Sequence, residues 1–328
     1  MNAGILANNG ADLTITEAKI TTDGAHANGV FSYGEGTTVT VTDTAITTTG
    51  NNSGGLMTTG GATLNASNVT ISTSGNSSAA IRTDRGGGTV TVDDSTGETS
   101  GVGSPAIYST ADITVSDSTL SASNSEAAVI EGGNSVTITN SDLTGNNATL
   151  NGQSTTATNV LIYQSMSGDA SEGESTFTMT DGSLTAETGS MFHVTNVTTT
   201  INLTSVDLSY ADNEDKVFLD ISADSWGTAG KNGGNATVNL SEQTAEGAIE
   251  VDDDSSLTLN LTNGSSYVGA INSSKASGDV DVTIDEGSIW TLTGDSYIQS
   301  YSGSISSINF NGYTLYINGA AYTEATIV

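Results

Sequence analysis

Short apolar units return along this chain at a nearly fixed interval. GILANNG, NGVFSYGEG, GGLMTTGG and AAIRTDRGG open the series. PAIYSTA, AAVIEGG, NVLIYQS, SMFHVTN, KVFLDIS, GAIEVDD, GAINSS and SYIQSY continue it. Anchored at Ile5, Val30, Leu56, Ile81, Ile107, Val129, Leu161, Phe192, Phe218, Ile249, Ile271 and Ile298, the intervals are 25, 26, 25, 26, 22, 32, 31, 26, 31, 22 and 27. A unit this short cannot bury its apolar face alone and must stack on its neighbours.

Each unit carries further strands. After a Gly-rich corner comes an alternating segment such as Thr37 to Thr42, TTVTVT. Seven residues after its inward apolar residue sits another. The pairs are Leu13 and Ile20, Val39 and Ile46, Leu64 and Ile71, Ile113 and Leu120, Val136 and Leu143, Phe177 and Leu184, Ile201 and Leu208, Val282 and Ile289, and Ile308 and Leu315. Polar turns such as DTA, SNV and NSD lie between them, and Asx and Gly favour such corners. Period-2 alternation puts Val, Ile and Leu on one face and Thr or Ser on the other. The expectation is an all-β, right-handed parallel β-helix of about twelve rungs, each of roughly 22–32 residues in three short strands. It is read as a single domain over 1–328. Propeller blades need about 40 residues or more per repeat, and a sandwich does not keep so constant a period. Seven aromatic residues between Trp290 and Tyr322 mark 290–328 as capping rungs, which cover the exposed end of a solenoid.

Charge narrows the function. The formal net charge is -31, with six Lys and Arg in all. Such a surface repels phosphates, which excludes nucleic acid as a partner. No apolar run approaches 18 residues, so no membrane-inserted helix is expected. There is no Cys. The opening MNAGILANNG enters directly into a repeat, which fits a monomeric segment of a larger exported protein displayed at a bacterial surface.

Irregular intervals mark loops, where function is usually grafted. Three stand out: Thr144 to Asn159, Ser165 to Ser175, and Ser222 to Asn235. The third carries Trp226 between Gly-rich flanks. A flat ring there suits stacking of a sugar, with Asp224 and Lys231 as polar neighbours. The densest acidic run, Asp252 to Asp254, suits calcium, with Asp252 and Asp254 as the ligands on one side. Asp212, Glu214 and Asp215 form the next acidic run. No cofactor is required.

Catalytic groupings are sparse. Arg82 and Arg85, with Asp84, Asp93 and Asp94, are the one concentration of cation and carboxylate; Arg82 and Asp84 should share a face, and the Asp93 pair an edge with them. His26 and His193 are separated by six rungs, roughly 30 Å, and cannot act together. No nucleophile triad, P-loop or zinc spacing is visible. No catalytic residue is therefore assigned. A polysaccharide lyase or hydrolase of the pectate-lyase or polygalacturonase kind is the runner-up. An ice-binding Thr-x-Thr face is a third reading, weakened by Asn65, Asp112 and Asn202 at equivalent places.

The closing pattern WTLTGDSYI, then NGYTLYING, together with rungs of the type TVTVTDTAITTTG, resembles adhesin-like and pertactin-like β-helical surface proteins of gut bacteria. That resemblance implies surface display and adhesion to glycan or to a host or cell-surface protein. It brings no catalytic motif.

Overall fold

In the computed structural model, residues 2–152, 154–211, 216–276 and 278–326 are described. Asp212, Glu214 and Asp215 lie outside the described residues. The chain winds into a parallel β-solenoid of about eleven turns. Twelve anchor positions thus bound eleven turns. One sheet stacks ten parallel strands, from Asn2–Ala7 to Ala248–Val251. A larger sheet of sixteen strands forms the facing wall. Aliphatic side chains from both fill one continuous core, from Ala7 to Leu315.

The polar turns inside the heptad-spaced pairs are single residues rather than loops. Thr38–Thr48, Ala62–Thr73, Ser135–Gly145 and Glu174–Ala186 are each one strand passing through a bend. The bend is made by Asp43, Asn68, Asn140 and Asp181, with φ of 51, 52, 46 and 57 degrees. Asx residues tolerate this left-handed conformation. Their side chains also tie rungs together: Asn68 Nδ2 donates to Asp43 Oδ1 at 2.6 Å, and Asn140 Nδ2 to Asp117 Oδ1 at 2.5 Å. So several rungs have two strands where three were expected.

The inward column of the ten-stranded sheet begins as the repeat predicts, with Ile5, Val30, Leu56, Ile81 and Ile107 in register. It then continues through Ala128, Val160, Phe192, Leu219 and Ile249. Val129 and Leu161, expected inside, face out and pair with each other. The phase slips by one because AAVIEGG and NVLIYQS are apolar at consecutive positions. A slip of one residue exchanges the two faces of a strand. Phe218 is buried, yet it sits at a bulge and Leu219 takes the rung position.

The C-terminal aromatics divide in two. Trp290, expected in the cap, is fully buried in the core, and its indole N–H donates to the Gly269 carbonyl at 2.9 Å. Its neighbour Ile289, expected inside, is 47% exposed. Trp290 ends an aromatic file through Phe177, Phe192, Phe218 and Tyr267, with successive ring centroids 5.5, 5.8, 6.3 and 6.1 Å apart. Ile308 and Leu315 are both buried as expected, but on different sheets: Ile308 stacks on Trp290 and Leu315 on Ser296. The parallel ladder ends where Leu315–Ile317 turns back antiparallel onto Ala320–Tyr322. Tyr297 stacks flat on Tyr316 there, at 4.6 Å.

Candidate binding cleft

Side chains one position after the inward column stand on the outer face of the ten-stranded sheet. In register they are Phe31, Met57, Arg82, Tyr108, Val129, Leu161, His193 and Asp220. Glu131 and Tyr163 stand beside them, also paired. The three irregular segments converge on this face. Asn151 and Ser154 from the first, Ser165, Ser167 and Asp169 from the second, and Trp226 from the third line one cleft of about 300 Å³. Its floor is Arg82, Tyr108, Val129, Glu131, Leu161 and Tyr163.

Trp226 packs on Tyr163 with ring centroids 4.5 Å apart and planes at 52°. With Tyr108, Val129 and Leu161 they form an apolar cluster separate from the solenoid core. The outward turn of Val129 and Leu161 is what creates it. Sequence periodicity missed Tyr108, Glu131 and Tyr163. Their signal was bulky or acidic outward residues in rungs otherwise dressed with Thr and Ser.

Glu131 is buried and organises the floor. Its carboxylate accepts from the Tyr108 hydroxyl, from Tyr163 Oη at 3.0 Å, from Ser165 Oγ and from Ser167 Oγ at 3.4 Å. Burial, reinforced by the Glu131 charge, pushes both phenols well above their ordinary range, so they remain donors. A second carboxyl, Glu126, lines the same cleft. Burial raises its pKa against donations from Ser125 Oγ at 2.5 Å and Asn147 Nδ2 at 3.0 Å.

The Trp226 segment is held from beneath. Asp224 accepts from Ser154 Oγ at 3.1 Å, Thr155 Oγ1 at 2.7 Å and Ser225 N at 2.6 Å. Burial would raise its pKa; these donors outweigh burial and hold it below the ordinary carboxylate range. Asn232 Nδ2 donates to the carbonyls of Asp224 and Trp226, both at 2.8 Å. His193, fully buried, faces Asp220 Oδ2 with Nδ1 at 3.3 Å and Asp224 Oδ2 with Nε2 at 3.7 Å, both off the line of a good hydrogen bond. Asp220 is lowered too, burial being outweighed by His193 and Ser222.

The three residues singled out from sequence for ligand contact therefore separate. Trp226 lines the cleft, while the Asp224 carboxylate is 1% exposed and binds loop to loop. Lys231 lines a different depression, with Gln164, Met166 and Glu172. Asp252 is engaged in its own turn: it accepts from Ser255 Oγ at 2.5 Å and Asp254 N at 3.2 Å, and its other oxygen accepts from Ala223 N at 2.8 Å. Asp254 lies exposed in the same turn. Among the described residues no group of three or more His, Cys, Asp or Glu is placed to hold a metal ion. Arg82 pairs with Asp84 at 3.1 Å on the outer face. Asp93 is engaged elsewhere: it ends a strand of the larger sheet and accepts from Ser116 Oγ at 2.6 Å, with Asp94 next to it at the corner.

No helix among the described residues is long and apolar enough to cross a membrane. No curated protein and no solved structure matches this chain. Residues 3–166 match the family described as right handed beta helix region. With half its length in that match and the rest continuing the same ladders, the chain belongs to the right-handed β-helix family.

Proposed function

We propose that this protein is a non-catalytic, adhesin-like β-helix displayed outside a bacterial cell, which binds glycan in the cleft capped by Trp226. One observation carries the reading. Three segments that break an otherwise regular rod, more than sixty residues apart from first to last, all wall one cleft floored by aromatic rings and fixed hydroxyls. Sugar sites combine an apolar ring platform with a few placed polar groups. Trp226 and Tyr163 supply the platform, and Ser154, Ser167 and Arg82 the polar groups. The strongly acidic remainder of the surface suits a hydrated, soluble stalk.

Glu126 and Glu131 give the polysaccharide-active reading a specific footing. Two carboxyl groups in one cleft, one with its pKa raised by burial, resemble the acid and base of a glycosidase. Against it, all the acceptor capacity seen at Glu131 is spent on hydroxyl groups of its own chain. A glycan array probed with the full chain tests the first reading, and reducing-end and uronate-cleavage assays on the same sample test the second. Saturable glycan binding with no turnover is expected. Turnover abolished by Glu126→Gln would reverse the order of the two.

A further inference from the structure

A second depression, of about 680 Å³, lies on the same outer face toward the N-terminal rungs. It is lined by Phe31, Tyr33, Met57, Asn28 and Asn52. Arg82 and Asp169 line both depressions, so the two meet. From Phe31 to Leu161 the floor crosses five rung-to-rung pairings. At ~4.8 Å per rung that is about 24 Å along the solenoid axis. A single sugar ring fills only a fraction of it.

Arg82 stands at the junction. Arg82 spends Nη1 on the Ser77 carbonyl at 3.2 Å and Nη2 on Asp84 at 3.1 Å. Its Nε is buried without a partner, and its guanidinium lies 6.0 Å from the centre of the Tyr108 ring. The cations here are already matched: Arg82 with Asp84, and Arg85 with Asp169. An added anion would meet Asp84, Asp169 and Glu131 without a free countercharge. An uncharged ligand avoids that cost.

A peptide strand fits this face poorly. Peptides that extend a sheet add to its edge, where backbone groups are free. The groove instead runs over the face, and the rungs beneath already pair with each other. Its ligand must be held by rings, amides and a guanidinium.

We propose that the two depressions form one groove for an uncharged, extended oligosaccharide lying along the solenoid axis, with Trp226 and Tyr163 at one end, Arg82 at the middle and Tyr33 at the other. The proposal rests on the glycan-binding reading above and extends it to a substrate class.

Calorimetric titration tests it, using the full chain and cello-, xylo-, manno- and chito-oligosaccharides from monosaccharide to hexasaccharide. For the series that binds, affinity should climb with length well beyond the disaccharide. Tyr33→Ala, at a 38% exposed ring, should weaken the hexasaccharide by about tenfold, from the lost apolar contact, and leave the disaccharide unchanged. Trp226→Ala should weaken every length. Affinity that levels off at the disaccharide, or a hexasaccharide indifferent to Tyr33→Ala, overturns the extended groove and leaves the Trp226 cleft standing. Failure of all four series to bind, or tight binding of peptides instead, overturns both.

Discussion

The ring of Trp226 rests on that of Tyr163 at 4.5 Å, although sixty-three positions separate them in the chain. One is fixed to a rung of the solenoid and the other is brought over it by an inserted segment. This contact closes the cleft, and it depends on anchors that can be changed one at a time.

Glu131 is the anchor beneath. Removing its carboxylate by Glu131→Ala leaves the Tyr108 and Tyr163 hydroxyls, 3.4 Å apart, only each other as partners. An expected loss of about 3 kcal/mol follows from orphaned buried donors, read as a lowered midpoint in urea. The phenols also predict an alkaline limit. Their folded pKa values are raised, so their contribution is complete below the ordinary phenol value and falls as pH climbs above it. Ultraviolet titration should show Tyr108 and Tyr163 ionising only with unfolding. Tyr108→Phe combined with Tyr163→Phe should remove that late step.

Asp224 is the anchor at the side. It and Asp220 are both held below the ordinary carboxylate range. The stabilisation they give is therefore complete above about pH 4 and drains away as pH falls through their lower folded values. Amide exchange in 222–235 should accelerate in that acid window before the core strands open. Asp224→Asn should bring the same acceleration to neutral pH, by about tenfold if one to two hydrogen bonds are lost. Unchanged exchange in the variant would mean that the segment is held by other contacts.

Corner glycines limit the rod itself. Gly24, Gly50, Gly75 and Gly101 follow at intervals of 26, 25 and 26. A Cβ on Gly75 would come within 1.9 Å of the Gly50 carbonyl oxygen, and one on Gly101 equally near the Gly75 oxygen. Gly75→Ala should cost more than about 3 kcal/mol, as backbone contacts of this kind cannot relax by rotating a side chain. Thermal unfolding measures it, with Gly24→Ala as the contrast, where a Cβ meets nothing nearer than the Ala27 methyl at 3.5 Å.

The first five anchors were legible because each follows a Gly or Ala, at Gly4, Gly29, Gly55, Ala80 and Ala106, and recurs at 25 or 26 residues. The stretch from Val129 to Leu161 was not. There both faces of the strand are covered, one by the core and one by the insertions, and alternation disappears. The Gly flanks of Trp226 signalled an inserted segment but not where it lands. Its partners Tyr108, Glu131 and Tyr163 are brought together only by rung register. Trp290 was misplaced for a related reason: an aromatic-rich end suits a cap, yet the rung there is wide enough to take an indole inside.

The central claim is that one cleft, closed by Trp226, holds the ligand. Titration of a glycan retained on the array into wild type, Trp226→Ala and Lys231→Ala tests it most directly. The cleft account predicts at least a tenfold loss for Trp226→Ala, the scale of one lost aromatic platform, with Lys231→Ala unchanged and all three proteins folded at the temperature of the titration. Equal affinity of Trp226→Ala and wild type would contradict it.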